Sequence, residues 1–140
     1  MPKQILIIFL LFLFFCGCES KTAIPVITQD DIFEIEEKEY YILFVKDDCS
    51  GCEKIKPNAF KYHKQSLFSS GWPKIYQVNV SDPINKAIIG DQDLIDGATS
   101  ISKLKITRTP TLIIIKDGTI IEHYINSGNV GNFFEEALTK

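Results

Sequence analysis

The chain has 140 residues, enough for one domain of ordinary size and too few for two. It is 45% hydrophobic and 24% charged, which supports a packed core and argues against wholesale disorder. A formal net charge of -3, with no basic block, argues against a nucleic-acid binder that works by neutralising phosphates.

The first element is "ILIIFLLFLFF", Ile5 to Phe15, 11 uninterrupted apolar residues after a single Lys. That is the length of a signal-peptide core and short for a membrane span. "FCGC" follows, with the small Gly17 directly before Cys18. This resembles the bacterial lipoprotein signal, in which cleavage leaves a lipidated cysteine at the new N-terminus. The resemblance implies that residues 1–17 are a signal peptide, that Cys16 leaves with it, and that Cys18 carries lipid. Phe15 stands where that signal usually has Leu. An ordinary cleaved signal and an uncleaved anchor are the alternatives. Cleavage before Cys18 removes one Lys, so the mature balance is 14 minus 18, or -4. The mature chain would sit outside the cytoplasm, where disulfides persist.

Residues 18–25 read as a polar tether and 26–140 as the folded domain. "VIT" is a short strand candidate. Thr28 followed by Asp31 suggests an N-cap, opening a helix through "QDDIFEIEEKE" with Ile32, Phe33 and Ile35 inward. "YYILFVK", Tyr40 to Lys46, is a continuous apolar run that suits a central strand buried on both faces. A helix is predicted from about Ser50 to Phe68, with Pro57 inside it. "GWP" breaks the chain, and "KIYQVNV" alternates Tyr76, Val78 and Val80 on one face of a second strand. Residues 82–97 read as an acidic loop with a short helical piece. "TSISKLKI" suggests a capped helix burying Ile101 and Leu104. "PTLIIIK" is a third strand. Asp117-Gly118 signals a hairpin into "TIIEHYIN". "NFFEEALTK" reads as a terminal helix, with Asn132 and Glu135 at capping-box spacing. The order is β-α-β-α-β-α-β-β-α, an α/β sandwich with a mixed central sheet.

"CSGC", Cys49 to Cys52, falls between a buried strand and a helix. Such a pair can be a redox couple, half of a metal site or a local staple. At a helix N-terminus, unpaired N–H groups and the helix dipole stabilise a thiolate, and cysteines of this kind have pKa values lowered to roughly 3.5–7.5. Cys52, one turn on, reaches the Cys49 sulfur but is turned toward the protein. Cys49 is then the nucleophile and Cys52 the resolving thiol of a disulfide exchange. Zinc wants four protein ligands in a structural site. Only two cysteines remain after processing, and His63 and His123 are distant in the chain, so no metal is expected. His63 is expected at the surface or its boundary, His123 on an outer strand face, and Trp72 as a packed loop anchor.

"YYILFVK" running into "CSGC", Pro57 five residues after the second cysteine, "TPTLIIIKDG" and the terminal helix together resemble the thioredoxin superfamily. The resemblance spans about residues 25–139. It implies a thioredoxin-like fold and a cis peptide bond between Thr109 and Pro110. It implies that the Thr109 backbone pairs with a substrate main chain beside the cysteines, much as an added strand would. It also implies a thiol–disulfide oxidoreductase with no cofactor beyond its own cysteine pair. Its partners would be protein thiols and disulfides and a membrane redox partner, and it would act at the outer face of a bacterial membrane. Three departures stand out. Asp48 replaces the usual Trp before the first cysteine, Ser50-Gly51 replaces Gly-Pro between the two, and Leu43 stands where thioredoxins bury an acid. These features look more like small membrane-tethered exchangers of bacterial envelopes than like cytosolic thioredoxin. A non-catalytic accessory or adaptor in secretion or peptide-toxin maturation is the other reading. Lys46 and Lys54 would lower the Cys49 pKa, while Asp47, Asp48 and Glu53 would raise it, so an intermediate reduction potential is expected.

Overall fold

A computed structural model describes residues 23–140. The expected leader, Cys16 and Cys18 lie outside the described residues.

Strand β1 (Glu39–Val45) is flanked by β2 (Lys74–Asn79) in parallel and β3 (Thr111–Lys116) antiparallel, and β4 (Thr119–Ile125) closes the order β2-β1-β3-β4. Residues 40–44 of β1 are all buried, as a strand covered on both faces requires. Their side chains alternate. Tyr40, Ile42 and Phe44 join one apolar cluster, and Tyr41 and Leu43 join the other. Tyr76 and Val78 of β2, and Val80 just beyond it, share the first cluster, as their alternation predicts. Asp117 and Gly118 take the left-handed φ values of 49° and 76° that a tight hairpin demands, and β4 turns back on β3 with a bulge between Ile114 and Ile115.

Two helices cover the Tyr41 face. Helix α1 (Ser50–Phe68) contributes Ile55, Ala59 and Tyr62, and α2 (Asn126–Leu138) contributes Val130 and Phe134. Trp72 packs on the same cluster as the expected loop anchor, its ring centroid 5.1 Å from that of Tyr62. His63 departs from expectation. It is buried on α1, not at the surface or its boundary.

The opposite face carries no α-helix among the described residues. The expected helix after Thr28 is one short turn of tighter helix, Gln29–Asp31. Asp30, Asp31, Glu34, Glu36 and Glu37 would repel one another along a helix. The Tyr40 hydroxyl also donates to the Ile32 carbonyl at 2.9 Å, the acceptor a continuing helix would use. Ile32 is nonetheless buried, and Phe33 and Ile35 pack on the core. The expected helix in "TSISKLKI" shrinks to Ile101–Lys103, because strand-like pairing claims the residues beyond it. Lys105 exchanges backbone hydrogen bonds with Leu94, and Ile106 bonds to Ile88 and Gly90. The short helical piece expected in the acidic loop is present at Pro83–Ile88. Ile88, Ile95, Ala98, Leu104 and Ile106 are buried here, so this irregular segment supplies a core layer. "VIT" contributes a single bridge, Val26 to Gln77.

The terminal helix begins at Asn126, six residues before the predicted Asn132 cap. Asn126, with φ 75°, accepts the Asn129 N–H on its side-chain oxygen at 3.0 Å, so it caps the first turn. No described helix is long and apolar enough to cross a membrane.

Candidate active site

Cys49 ends the connection from β1 and is the N-cap of α1. Its sulfur accepts the Cys52 N–H at 3.1 Å, so one orphan donor of the helix is aimed at it. Cys49 and Cys52 are joined in a disulfide, with Cα atoms 5.2 Å apart. The expected contrast in exposure is small, since Cys49 is 8% exposed and Cys52 6%. What distinguishes them is position. Cys49 alone caps the helix, and its sulfur lies 3.5 Å from the Thr109 hydroxyl.

The Thr109–Pro110 peptide bond is cis. A Cβ placed on Gly51 would stand 3.1 Å from Pro110 Cδ and 3.4 Å from Ser127 Cβ. Gly51 thus lets the Pro110 loop and the start of α2 close onto the first turn of α1. The Pro110 carbonyl accepts the Asn126 N–H at 3.0 Å, and the Thr111 hydroxyl donates to the Arg108 carbonyl at 2.8 Å. Upstream, the Asp93 carboxylate takes both the N–H and the hydroxyl of Thr107 at 2.8 Å. The acidic loop is therefore tied to the segment that presents Thr109.

Asp47 and Asp48 differ in how they are held. The Asp47 N–H donates to the Ser81 hydroxyl and its carboxylate accepts from the Asn79 side chain, each at 2.9 Å. Asp48 is exposed and takes a left-handed φ of 52°. Glu53 pairs with Lys56 at 3.7 Å across open solvent, an arrangement of small energetic weight. A cavity of about 380 Å³ reaches Cys52 from the α1 side, with Leu43, Asp47 and Asn79 in its lining. Leu43 is 1% exposed and apolar, so no carboxylate is buried at that position. His123 lies away from the cysteines, in β4, its ring nitrogen 2.6 Å from the Asp96 carboxylate. Among the described residues, no group of three His, Cys, Asp or Glu side chains is placed to hold a metal ion.

Cys49, Cys52, Thr109 and Pro110, all predicted from the sequence, meet at one place. Ser127, Asn79 and Ser81 were not predicted. Ser127 joins because α2 starts at Asn126, a start that "NSGN" signals only through its capping Asn.

No known family profile and no curated protein matches the chain. Solved structures do. The thioredoxin of Malassezia sympodialis is 20% identical, with a TM-score of 0.57 over 89% of this chain and 96% of that one. The thioredoxin of Trypanosoma brucei brucei is 17% identical, with a TM-score of 0.58 over 88% and 95%. Thioredoxin f2 of Chlamydomonas reinhardtii is 14% identical, with a TM-score of 0.59 over 84% and 99%. The chain has a thioredoxin-like fold. Within that fold, its cysteine pair lies where the β1–α1 connection meets the cis-proline loop, and its second sheet face is covered by the irregular layer of residues 82–107.

Proposed function

We propose that the protein is a thiol–disulfide oxidoreductase acting on protein substrates, with Cys49 as nucleophile and Cys52 as resolving thiol. The observation that carries this is the disulfide at the N-terminus of α1, with the Cys49 sulfur 3.5 Å from Thr109 beside cis-Pro110. The Cys49 thiolate of the reduced protein attacks one sulfur of a substrate disulfide. The substrate S–S bond breaks, a mixed disulfide forms, and one substrate thiolate leaves and takes a proton. The Cys52 thiolate then attacks the Cys49 sulfur and expels the second substrate thiolate. Two electrons pass from the pair to the substrate, and the reverse sequence oxidises a substrate dithiol.

Thr109 presents the substrate strand in this reading. Among the described residues its backbone N–H donates, and its C=O accepts, no hydrogen bond, which supports pairing with an added main chain. Recognition through backbone supports a broad substrate range. With Leu43 in place of an acid, the Cys52 proton would leave through the adjoining cavity. The exposed Asp48 and the tethered Asp47 oppose the helix dipole, which supports an intermediate potential.

The leader, "FCGC" and a cysteine pair that functions as a disulfide support a lipid-anchored protein on the outer face of a bacterial membrane, served by a membrane redox partner. The test is Cys52→Ser in the full chain. The variant traps substrates as mixed disulfides through Cys49, visible as bands that collapse on reduction. No trapped species, with biological activity surviving in the variant, sinks the catalytic reading and leaves a non-catalytic adaptor.

A further inference from the structure

A second cavity opens at the far end of the sheet, where β1 starts and β3 ends. It measures about 550 Å³, and Glu39 and Lys116, partners in the β1–β3 register, both line it. Part of its lining is aromatic. Trp72, Tyr124 and Phe133 are half-buried there, and the buried Tyr41 and Tyr62 stand behind them. Their rings form a connected set, with centroids 5.4 Å apart for Tyr41 and Tyr62, 5.3 Å for Tyr41 and Phe133, and 4.8 Å for Tyr124 and Phe133. Three carboxylates, those of Glu39, Glu122 and Glu136, belong to the same lining.

We propose that this cavity binds a quaternary ammonium group. Aromatic rings attract cations through their quadrupole, and the attraction grows as water is excluded. Nearby carboxylates add negative potential without needing direct contact. Two of the three are already engaged. Glu39 pairs with Lys116 at 3.4 Å, and Glu122 accepts the Tyr124 hydroxyl. A primary ammonium or guanidinium must find several hydrogen-bond acceptors when it leaves water, and among the described residues Glu136 is the one lining carboxylate not already engaged by an ion pair or a hydroxyl. A trimethylammonium group donates no hydrogen bond and needs only the rings and the field. Lys116 is held at Glu39, while Lys140, also in the lining, opposes the ligand. The site is separate from the cysteine pair, so its occupancy does not depend on the redox reading.

Trp72 is the one tryptophan of the chain, so its fluorescence reports this cavity selectively. The protein is titrated with choline and with its neutral isostere, in which a tert-butyl group replaces the trimethylammonium. Choline gives a saturable change, and the isostere binds at least about ten-fold more weakly. Glu136→Gln weakens choline binding and Lys140→Gln tightens it, both at exposed positions that leave the fold intact. Sedimentation with phosphatidylcholine vesicles, against phosphatidylglycerol vesicles, separates a lipid headgroup from a free ion as the source. Equal affinity for choline and isostere, no saturable response to choline, or charge variants that leave its affinity unchanged overturns the proposal. Disulfide exchange activity, assayed in parallel, stays the same whichever result is obtained.

Discussion

Cys49 Sγ and Thr109 Oγ1 stand 3.5 Å apart, although 60 residues separate them in the chain. In the disulfide only the hydroxyl has a proton to give, so Thr109 donates. In the dithiol form the same hydroxyl faces a thiolate, where a hydrogen bond is worth more. Thr109→Val keeps the shape and the backbone but removes the donor. A hydrogen bond to a charged group contributes about 1.5 kcal/mol or more, which corresponds to a rise of about one unit in the Cys49 pKa. The pH dependence of alkylation of the reduced protein measures it. Superimposable curves for wild type and variant would show that the hydroxyl does not act on the thiolate.

Gly51 is the second position at which the site is set by close approach. Alanine gains about 1 kcal/mol of helix propensity there, yet its methyl group crowds the Pro110 ring at 3.1 Å. The two effects act on different properties. Melting temperature should change little, while disulfide exchange slows several-fold as the Thr109–Pro110 loop is pushed back. Full activity in Gly51→Ala would mean that the loop yields freely.

Asn85 joins three parts of the fold. Its carbonyl oxygen accepts the Gln29 N–H at 2.7 Å, its amide donates to the Asn79 carbonyl at 2.8 Å, and it is only 2% exposed. Asn85→Ala leaves the half-buried Gln29 N–H without its acceptor, while the Asn79 carbonyl keeps the Asp82 N–H at 3.2 Å. The expected loss is about 1–3 kcal/mol, read from the urea midpoint. A loss below about 1 kcal/mol would show that water enters and replaces the lost acceptor.

All five tyrosines titrate above the ordinary phenol range, with burial the first cause in each. Tyr76 and Tyr124 are pushed up to about 12, also by the carboxylates of Glu37 and Glu122 respectively. A raised folded pKa means that the native state holds its protons longer than the unfolded chain, whose tyrosines ionise near pH 10. The stability this contributes is complete below pH 10, and the share of Tyr76 and Tyr124 is lost as pH rises through about 12. Phenolate absorbance should therefore be nearly absent from the native protein at pH 10, and should appear together with loss of structure at higher pH. Phenolate absorbance at pH 10 with the fold intact would contradict this.

Much of the site was legible because its signals are local. "YYILFVK" can bury five successive residues only as a central strand, and Cys49 to Cys52 then begin the helix. "TPT" was legible through resemblance. Helices failed as predictions where distant partners decide. Nothing within "FEIEEKE" says that the Tyr40 hydroxyl will take the Ile32 carbonyl, and nothing within "SKLKI" says that Leu94 and Ile88 will pair with it. Ser127 and Asn79 were invisible for the same reason, since they meet the cysteine loop only once the sheet is assembled.

The same irregular segments close the sheet's two sides. Pro25 and Ile27 hydrogen-bond to Gln77 on β2, and Gly97 and Ala98 to Ile120 on β4. Unpaired strand margins invite other chains to join. Here each margin is met at one residue by the protein's own backbone, and β4 is further bent by its bulge. A dense population of such molecules, as on a crowded surface, would thus resist zipping into fibrils. On the proposed exchange reading, a visiting extended peptide would meet the Thr109 loop beside the cysteines and not the flanks.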